Sequence, residues 1–267
     1  MIIFIIANSY SAVNESLHPC YFQNIILIHT ENNDIMNYKK NQHMLNEDIT
    51  MLMNKMLSIL GDSISTYKGV SDDTSANSTL RYNPYYYKEP FPCEKTYWNL
   101  SMASLGLKLC VNNSWSGGNL SDASNPDAGV NRVNNLSRDD GTDPDIIIVF
   151  MGINDLGRGV NIDVFSSDYK KTLTIIKERY PKAMVCCINL PDRDIVMKKQ
   201  AVAFNSKIAD AVKAAGERFF VADLFHSRLN NDCYYQNTLD GLHPDEDGMK
   251  IIAEVVQKAI CENCKQL

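Results

Sequence analysis

Asp145-Ile-Ile-Ile-Val-Phe150 is an almost unbroken apolar run. So short a run, without the alternation of a strand that has one wet face, is expected of a central parallel strand covered on both sides. That expectation constrains the rest of the chain, because parallel strands need crossover connections, and these are usually helical. Further strands are expected over Met56–Leu60, Leu109–Asn113, Ala183–Leu190 and Phe219–Leu224. Apolar spacing at Trp98, Met102, Leu105 and Leu109 predicts a helix over Lys95–Cys110. Others are expected over Val164–Arg179, Val196–Ala215 and Asp245–Cys261, with Asp245 near the positive end of the last. The pattern predicts an α/β fold: a three-layer αβα sandwich around a central, mostly parallel sheet. No internal repeat or linker divides it.

Residues 1–50 do not join this pattern. The segment is rich in Asn, and its apolar runs Ile2–Ile6 and Ile25–Ile28 hold neither helical nor strand periodicity for long. It is read as a weakly structured extension ahead of a domain at 51–267; an ordered arm packed on the domain or on a second subunit is the competing reading. The first positive residue is Lys39, so the charged start of a secretory signal is missing, which favours a cytoplasmic protein over a secreted one. No apolar run reaches the ~18 residues of a bilayer-spanning helix, and no membrane partner is expected. A net charge of −6 without a basic stripe argues against a nucleic-acid partner. The oligomeric state is left open. Cys261 and Cys264 form a lone CxxC near the chain end with no second pair and no nearby His, and are read as structural.

Chemistry in such a sheet belongs outside the carboxyl ends of the strands. Polar clusters follow the first three strands at Gly61-Asp62-Ser63, at Asn113-Ser114-Trp115-Ser116-Gly117-Gly118 and at Gly152-Ile153-Asn154-Asp155. Another, Asp240-Gly241-Leu242-His243, precedes the last helix. Alone, each is more simply a turn or a helix cap. Together they supply an acyl-transfer site. A serine hydroxyl at Ser63 needs a general base, and His243 is the natural one. Asp240, three residues earlier, is close enough to orient that imidazole. Asn154 can aim an amide N–H at a developing oxyanion, and the backbone N–H groups of Gly117 and Ser63 can join it. Asp62 and Asp155 are assigned to hydrogen bonding within their loops, and His226 to a surface loop. No metal-ligand spacing, phosphate loop or dinucleotide fingerprint is present, so no metal or cofactor is expected.

In order and spacing these clusters resemble the four blocks of the SGNH (GDSL) hydrolase superfamily, over about residues 56–260. The resemblance implies the flavodoxin-like fold of that superfamily, with Ser63 as nucleophile, Asp240 and His243 completing a triad, and Gly117 and Asn154 as oxyanion donors. Two positions depart from the pattern: Ile64 stands where the block usually has Leu, and Gly118 where many members carry a polar residue. The substrate expected is a small-molecule acyl ester, with acetyl on a carbohydrate as the leading choice. A short-chain lipid ester or a thioester is the alternative, and a non-catalytic carbohydrate-binding module is the reading outside enzymes. Tyr82, Tyr85, Tyr86, Tyr87 and Phe91, with Trp98 and Trp115 near them in sequence, could stack on a sugar or could pack as core or lid.

Overall fold

The structure, a computed structural model, describes residues 50–66, 92–193 and 195–266. The extension expected over residues 1–50, Thr50 apart, and the tyrosines of the aromatic loop before Pro92 lie outside the described residues. At the centre is a five-stranded sheet in the order β2-β1-β3-β4-β5. Its strands are β1 (Met56–Gly61), β2 (Lys108–Ser114), β3 (Ile146–Phe150), β4 (Met184–Ile188) and β5 (Phe219–Ala222). Every pairing is parallel. The strand order changes direction at β1, so the loops after β1 and β3 part and open a crevice at the carboxyl edge.

All of β3 is buried, as its composition requires. On β4 the adjacent Cys186 and Cys187 project to opposite faces. Tyr169 of α4 (Ile162–Arg179) neighbours Cys187, whereas Tyr97 of α1 (Tyr97–Leu105) feels Cys186. Helix α4 packs on α5 (Ile195–Ala215), and α1 packs on α7 (Glu246–Asn263), giving a helical pair to cover each face. Three shorter helices sit near the carboxyl edge: α2 (Gly129–Arg132), α3 (Ile153–Gly157) and α6 (Asn231–Gln236). The expected helix over Lys95–Cys110 is shorter. It stops at Leu105 because Gly106 turns left-handed, φ +68°, and donates its N–H to the Met102 carbonyl. Leu109, which matched the helical spacing, belongs to β2.

Strand register sets the floor of the crevice. Gly61 lies level with Ser114 on one side and Phe150 on the other, so three strands end in one row and release their loops together. The pairing of β1 with β2 slips once, between Leu57 and Ser58. Ser58 fills the irregularity: its Oγ accepts from the Val111 N–H at 3.2 Å and donates to the Leu136 carbonyl at 2.7 Å. Gly61 has no space for a side chain. A Cβ there would lie 2.5 Å from Ser65 Oγ and 2.6 Å from Ser114 Oγ. Those hydroxyls are already engaged, Ser65 with Tyr97 and Ser114 with Asn112. Gly61→Ala is therefore expected to destabilise the fold by about 1–3 kcal/mol, seen as a lower urea midpoint with an unchanged slope.

Candidate active site

Ser63 opens a short 3-10 turn immediately after β1. Asp62 caps the turn, its Oδ1 accepting the Ile64 N–H at 3.0 Å. Thr66 closes it by donating its hydroxyl to the Ser63 carbonyl at 2.7 Å. From the sides, Trp98 Nε1 and Asn112 Nδ2 both donate to the Ser65 carbonyl, at 3.1 and 3.0 Å. The turn is thus tied to α1 and to β2, and Trp98 is a buried core residue rather than an aromatic at the mouth of the site.

His243 Nε2 lies 2.9 Å from Ser63 Oγ across 180 residues of sequence. Its Nδ1 lies 2.8 Å from Asp240 Oδ2. A carboxylate beside Nδ1 holds the ring proton there, which leaves Nε2 as an acceptor for the serine hydroxyl. Asp240 is itself anchored, since its Oδ1 accepts the N–H groups of Leu242 at 3.0 Å and His243 at 2.8 Å. Tyr234 of α6 donates its hydroxyl to the Leu242 carbonyl at 2.8 Å, fixing the same turn from behind. A second Asp-x-x-His at the end of β5 repeats this local geometry. His226 Nδ1 lies 2.8 Å from Asp223 Oδ2, but the side chain is 76% exposed, and among the described residues no serine is hydrogen-bonded to its ring.

The loops after β2 and β3 carry the expected oxyanion donors. Asn154, in the first turn of α3, donates Nδ2 to the Gly118 carbonyl at 3.0 Å, which leaves one amide hydrogen for another acceptor. At Gly118, one of the two positions that depart from the expected pattern, it is thus the backbone carbonyl that holds Asn154. Asp155 is wholly buried and accepts from the Leu120 N–H at 2.7 Å and the Ser121 N–H at 2.9 Å, drawing the loop after β2 onto α3. Ser63, Gly117, Asn154, Asp240 and His243 are all carried by these tied loops at the carboxyl edge.

Arg132 at the end of α2 drew no attention in the sequence. Its guanidinium is buried, and it donates to the Gly61 carbonyl at 2.9 Å, the Asn113 carbonyl, and Asn113 Oδ1 at 3.1 Å, while Nε donates to the Asp127 carbonyl at 2.7 Å. It joins the ends of β1 and β2. The segment around it has no periodicity, and a lone Arg in such a stretch reads as a solvated residue, so only the structure reveals it.

Burial dominates the proton affinities. It pushes the Asp62 carboxyl up to about 7, against the Ile64 N–H and the Arg132 charge, with Asp155 adding to the rise. It pushes the Arg132 guanidinium down to about 10, although Asp62 and Asp127 oppose it. Burial likewise lowers His243 below the usual imidazole value, more than the hydrogen bond and charge of Asp240 raise it. Partial burial works against ionising Asp240, but the N–H and ring hydrogen bonds from His243 and the Leu242 N–H outweigh it and hold the carboxyl below the usual range. At neutral pH the site thus has a neutral imidazole against an ionised carboxylate, the state a general base requires.

Residues 59–251 match the GDSL-like lipase/acylhydrolase family. The chain belongs to that family. Like other GDSL-like hydrolases it is a carboxylic ester hydrolase, of the serine esterase type. No curated protein sequence matches it. Among solved structures, a Bacteroides ovatus protein described as a GDSL-like lipase is 22% identical, with a TM-score of 0.58 over 77% of this chain and 97% of that one. A family two carbohydrate esterase from Clostridium thermocellum, solved with cellohexaose, is 16% identical, with a TM-score of 0.60 over 80% of this chain and 66% of that one. A carbohydrate esterase family 2 enzyme with a carbohydrate-binding domain, from Corynascus thermopiles (Myceliophthora fergusii), is 20% identical, with a TM-score of 0.54 over 79% and 67%. At these identities the likeness shows the SGNH fold.

The raised Asp62 makes a prediction about this hydrolase with a definite sign. Between the ordinary aspartate value of 3.8 and about 7, the unfolded chain has released this proton and the folded chain keeps it. The group therefore makes unfolding easier as pH rises through that window and adds no slope above it. Asp62→Asn retains the acceptor for Ile64 and removes the titration. Relative to that variant, the wild-type unfolding free energy in urea melts should fall between pH 4 and 7 and then level.

Proposed function

We propose that this chain hydrolyses a small acyl ester, acetyl in the first instance, on a carbohydrate or similar alcohol, through an acyl-enzyme at Ser63. The observation that carries the reading is the unbroken line of hydrogen bonds from Ser63 Oγ through His243 to Asp240. In the first half-reaction His243 Nε2 takes the Ser63 proton as Oγ attacks the ester carbonyl. The N–H of Ser63, the N–H of Gly117 and the remaining amide hydrogen of Asn154 receive the developing oxyanion. The imidazolium, steadied by Asp240, then protonates the departing alcohol. In the second half-reaction a water, activated by the same ring, attacks the acyl-enzyme and releases the acid and Ser63.

A small acyl group is the first choice because Ser63 and His243 are both buried. The sugar alcohol is supported by the two structurally similar proteins described as carbohydrate esterases.

The test is hydrolysis of p-nitrophenyl acetate, p-nitrophenyl butyrate and acetylated sugars. Ser63→Ala should lose on the order of 10⁴-fold or more in kcat with the fold intact by circular dichroism. Substantial residual turnover would reject Ser63 as nucleophile. Asp240→Asn should lower kcat by on the order of 10³–10⁴-fold with a much smaller change in KM. The acid limb of kcat/KM should fall below the usual imidazole value, because burial lowers His243 and the base must be neutral to work. A limb displaced to higher pH would mean that another group sets it.

A further inference from the structure

Arg158 is the residue after α3, the helix that carries Asn154, and its backbone N–H donates to the Asn154 carbonyl at 3.0 Å. Its side chain is exposed and turns back over the loop after β2. Nη1 donates to Asn119 Oδ1 at 2.5 Å. On the same side, a methyl placed on Gly117 would lie 3.3 Å from Nη2. The guanidinium therefore stands beside Gly117, next to the Gly118 carbonyl that accepts from Asn154, and is fixed at one nitrogen.

The nature of that anchor matters. Arg228 is paired with the Glu254 carboxylate and Arg138 with Asp140. Arg132 spends its donors on carbonyls in the interior. Arg158 is held by a neutral carboxamide oxygen, and among the described residues no carboxylate forms an ion pair with it. A neutral tether orients a guanidinium without cancelling its charge, and the planar fork remains suited to two-point recognition of a carboxylate or similar oxyanion. The surroundings make this cation conspicuous, since the chain carries a net charge of −6 and would repel an anionic substrate at long range.

We infer that Arg158 is a specificity residue, held over the oxyanion side of the site by Asn119, that selects esters bearing an anionic group, carboxylate in the first instance, within reach of the scissile carbonyl. The inference rests on the reading of Ser63 as nucleophile and narrows its substrate class to acidic esters. The anion can sit on the alcohol, as in an acylated acidic sugar, or at the far end of the acyl group. Both present the same oxygens to the same fork.

Two matched ester pairs separate these sources. Para-acetoxybenzoate and its methyl ester place the charge on the alcohol; the p-nitrophenyl monoester of adipic acid and its methyl ester place it on the acyl chain. In one pair, Arg158→Gln should reduce the ratio of kcat/KM for the charged ester to that for the neutral one by about five- to tenfold, mostly through KM. Arg158→Lys should recover part of that ratio by restoring charge without the fork. In the wild type, about 0.5 M NaCl should shrink it. Equal losses on charged and neutral esters would mean that Arg158 only braces the loop or supports the oxyanion, and would overturn the inference. So would a wild type that favours the charged ester in neither pair. Should both variants misfold, a wild-type ratio insensitive to salt rejects the proposal by itself. Turnover that survives Ser63→Ala would instead sink the underlying reading, so the two failures are distinguishable.

Discussion

Arg132 holds a positive charge in the interior where β1 and β2 end, and it does so on carbonyl oxygens. Burying an unpaired guanidinium is costly, and that cost is offset only while each donor has its acceptor. The arrangement therefore works as a geometric condition. If the end of β1 drifts from the end of β2, donors lose partners in a dry environment where the loss is large. Asp155 imposes a similar condition between α3 and the loop after β2. A buried cation and a buried carboxylate thus fix the two strand ends and the start of α3 relative to one another, and Ser63 follows directly on one of those ends. Preorganisation of this kind is what lets hydrogen-bond donors act on a transition state without first having to move.

The same dryness separates the proton affinities of the carboxyl groups. Asp62 is deeply buried, accepts one N–H through its side chain and is pushed up to about 7. Asp240 keeps some exposure, takes two backbone N–H groups and the imidazole, and stays ionised. Their environments alone distinguish a proton-holding group beside Ser63 from a charged one beside His243. Neighbouring residues in sequence can in this way take unrelated electrostatic roles: Asp62 precedes Ser63 but belongs to the scaffold beneath it.

The layers and the strands themselves were legible because they rest on period and composition, whereas the strand order was only implied by the family resemblance. A strand buried on both faces cannot conceal its apolar run, and Asp145–Phe150 announced β3 directly. The ends of elements were less legible. The helix expected to reach Cys110 stops at Leu105, because a left-handed glycine stops it and because Leu109 fits a helical face and a strand equally well. The short helices α2, α3 and α6 have too few turns for any periodicity to accumulate. Motif order pointed to Ser63, His243 and Asp240, which the structure brings into hydrogen-bonding distance, but not to the residues that support them. Arg132 and Arg158 act through tertiary placement, and nothing local marks them. The two Asp-x-x-His turns make the same point. Asp223–His226 and Asp240–His243 build nearly the same oriented imidazole, and only the position of the second opposite Ser63 gives it a hydroxyl to accept from.

That hydrogen bond joins residues 180 positions apart in the chain. Closing so long a loop is entropically unfavourable until the intervening sheet has formed and brought the two ends close. The contact between Ser63 and His243 therefore depends on the strands and helices that lie between them in the chain. On the proposed reading of Ser63 as nucleophile, an incompletely synthesised or half-folded chain has a serine without its base and would not hydrolyse esters. On that reading hydrolysis reports on nearly the whole domain at once, and its return after denaturation would follow long-range assembly rather than the growth of any one helix or strand.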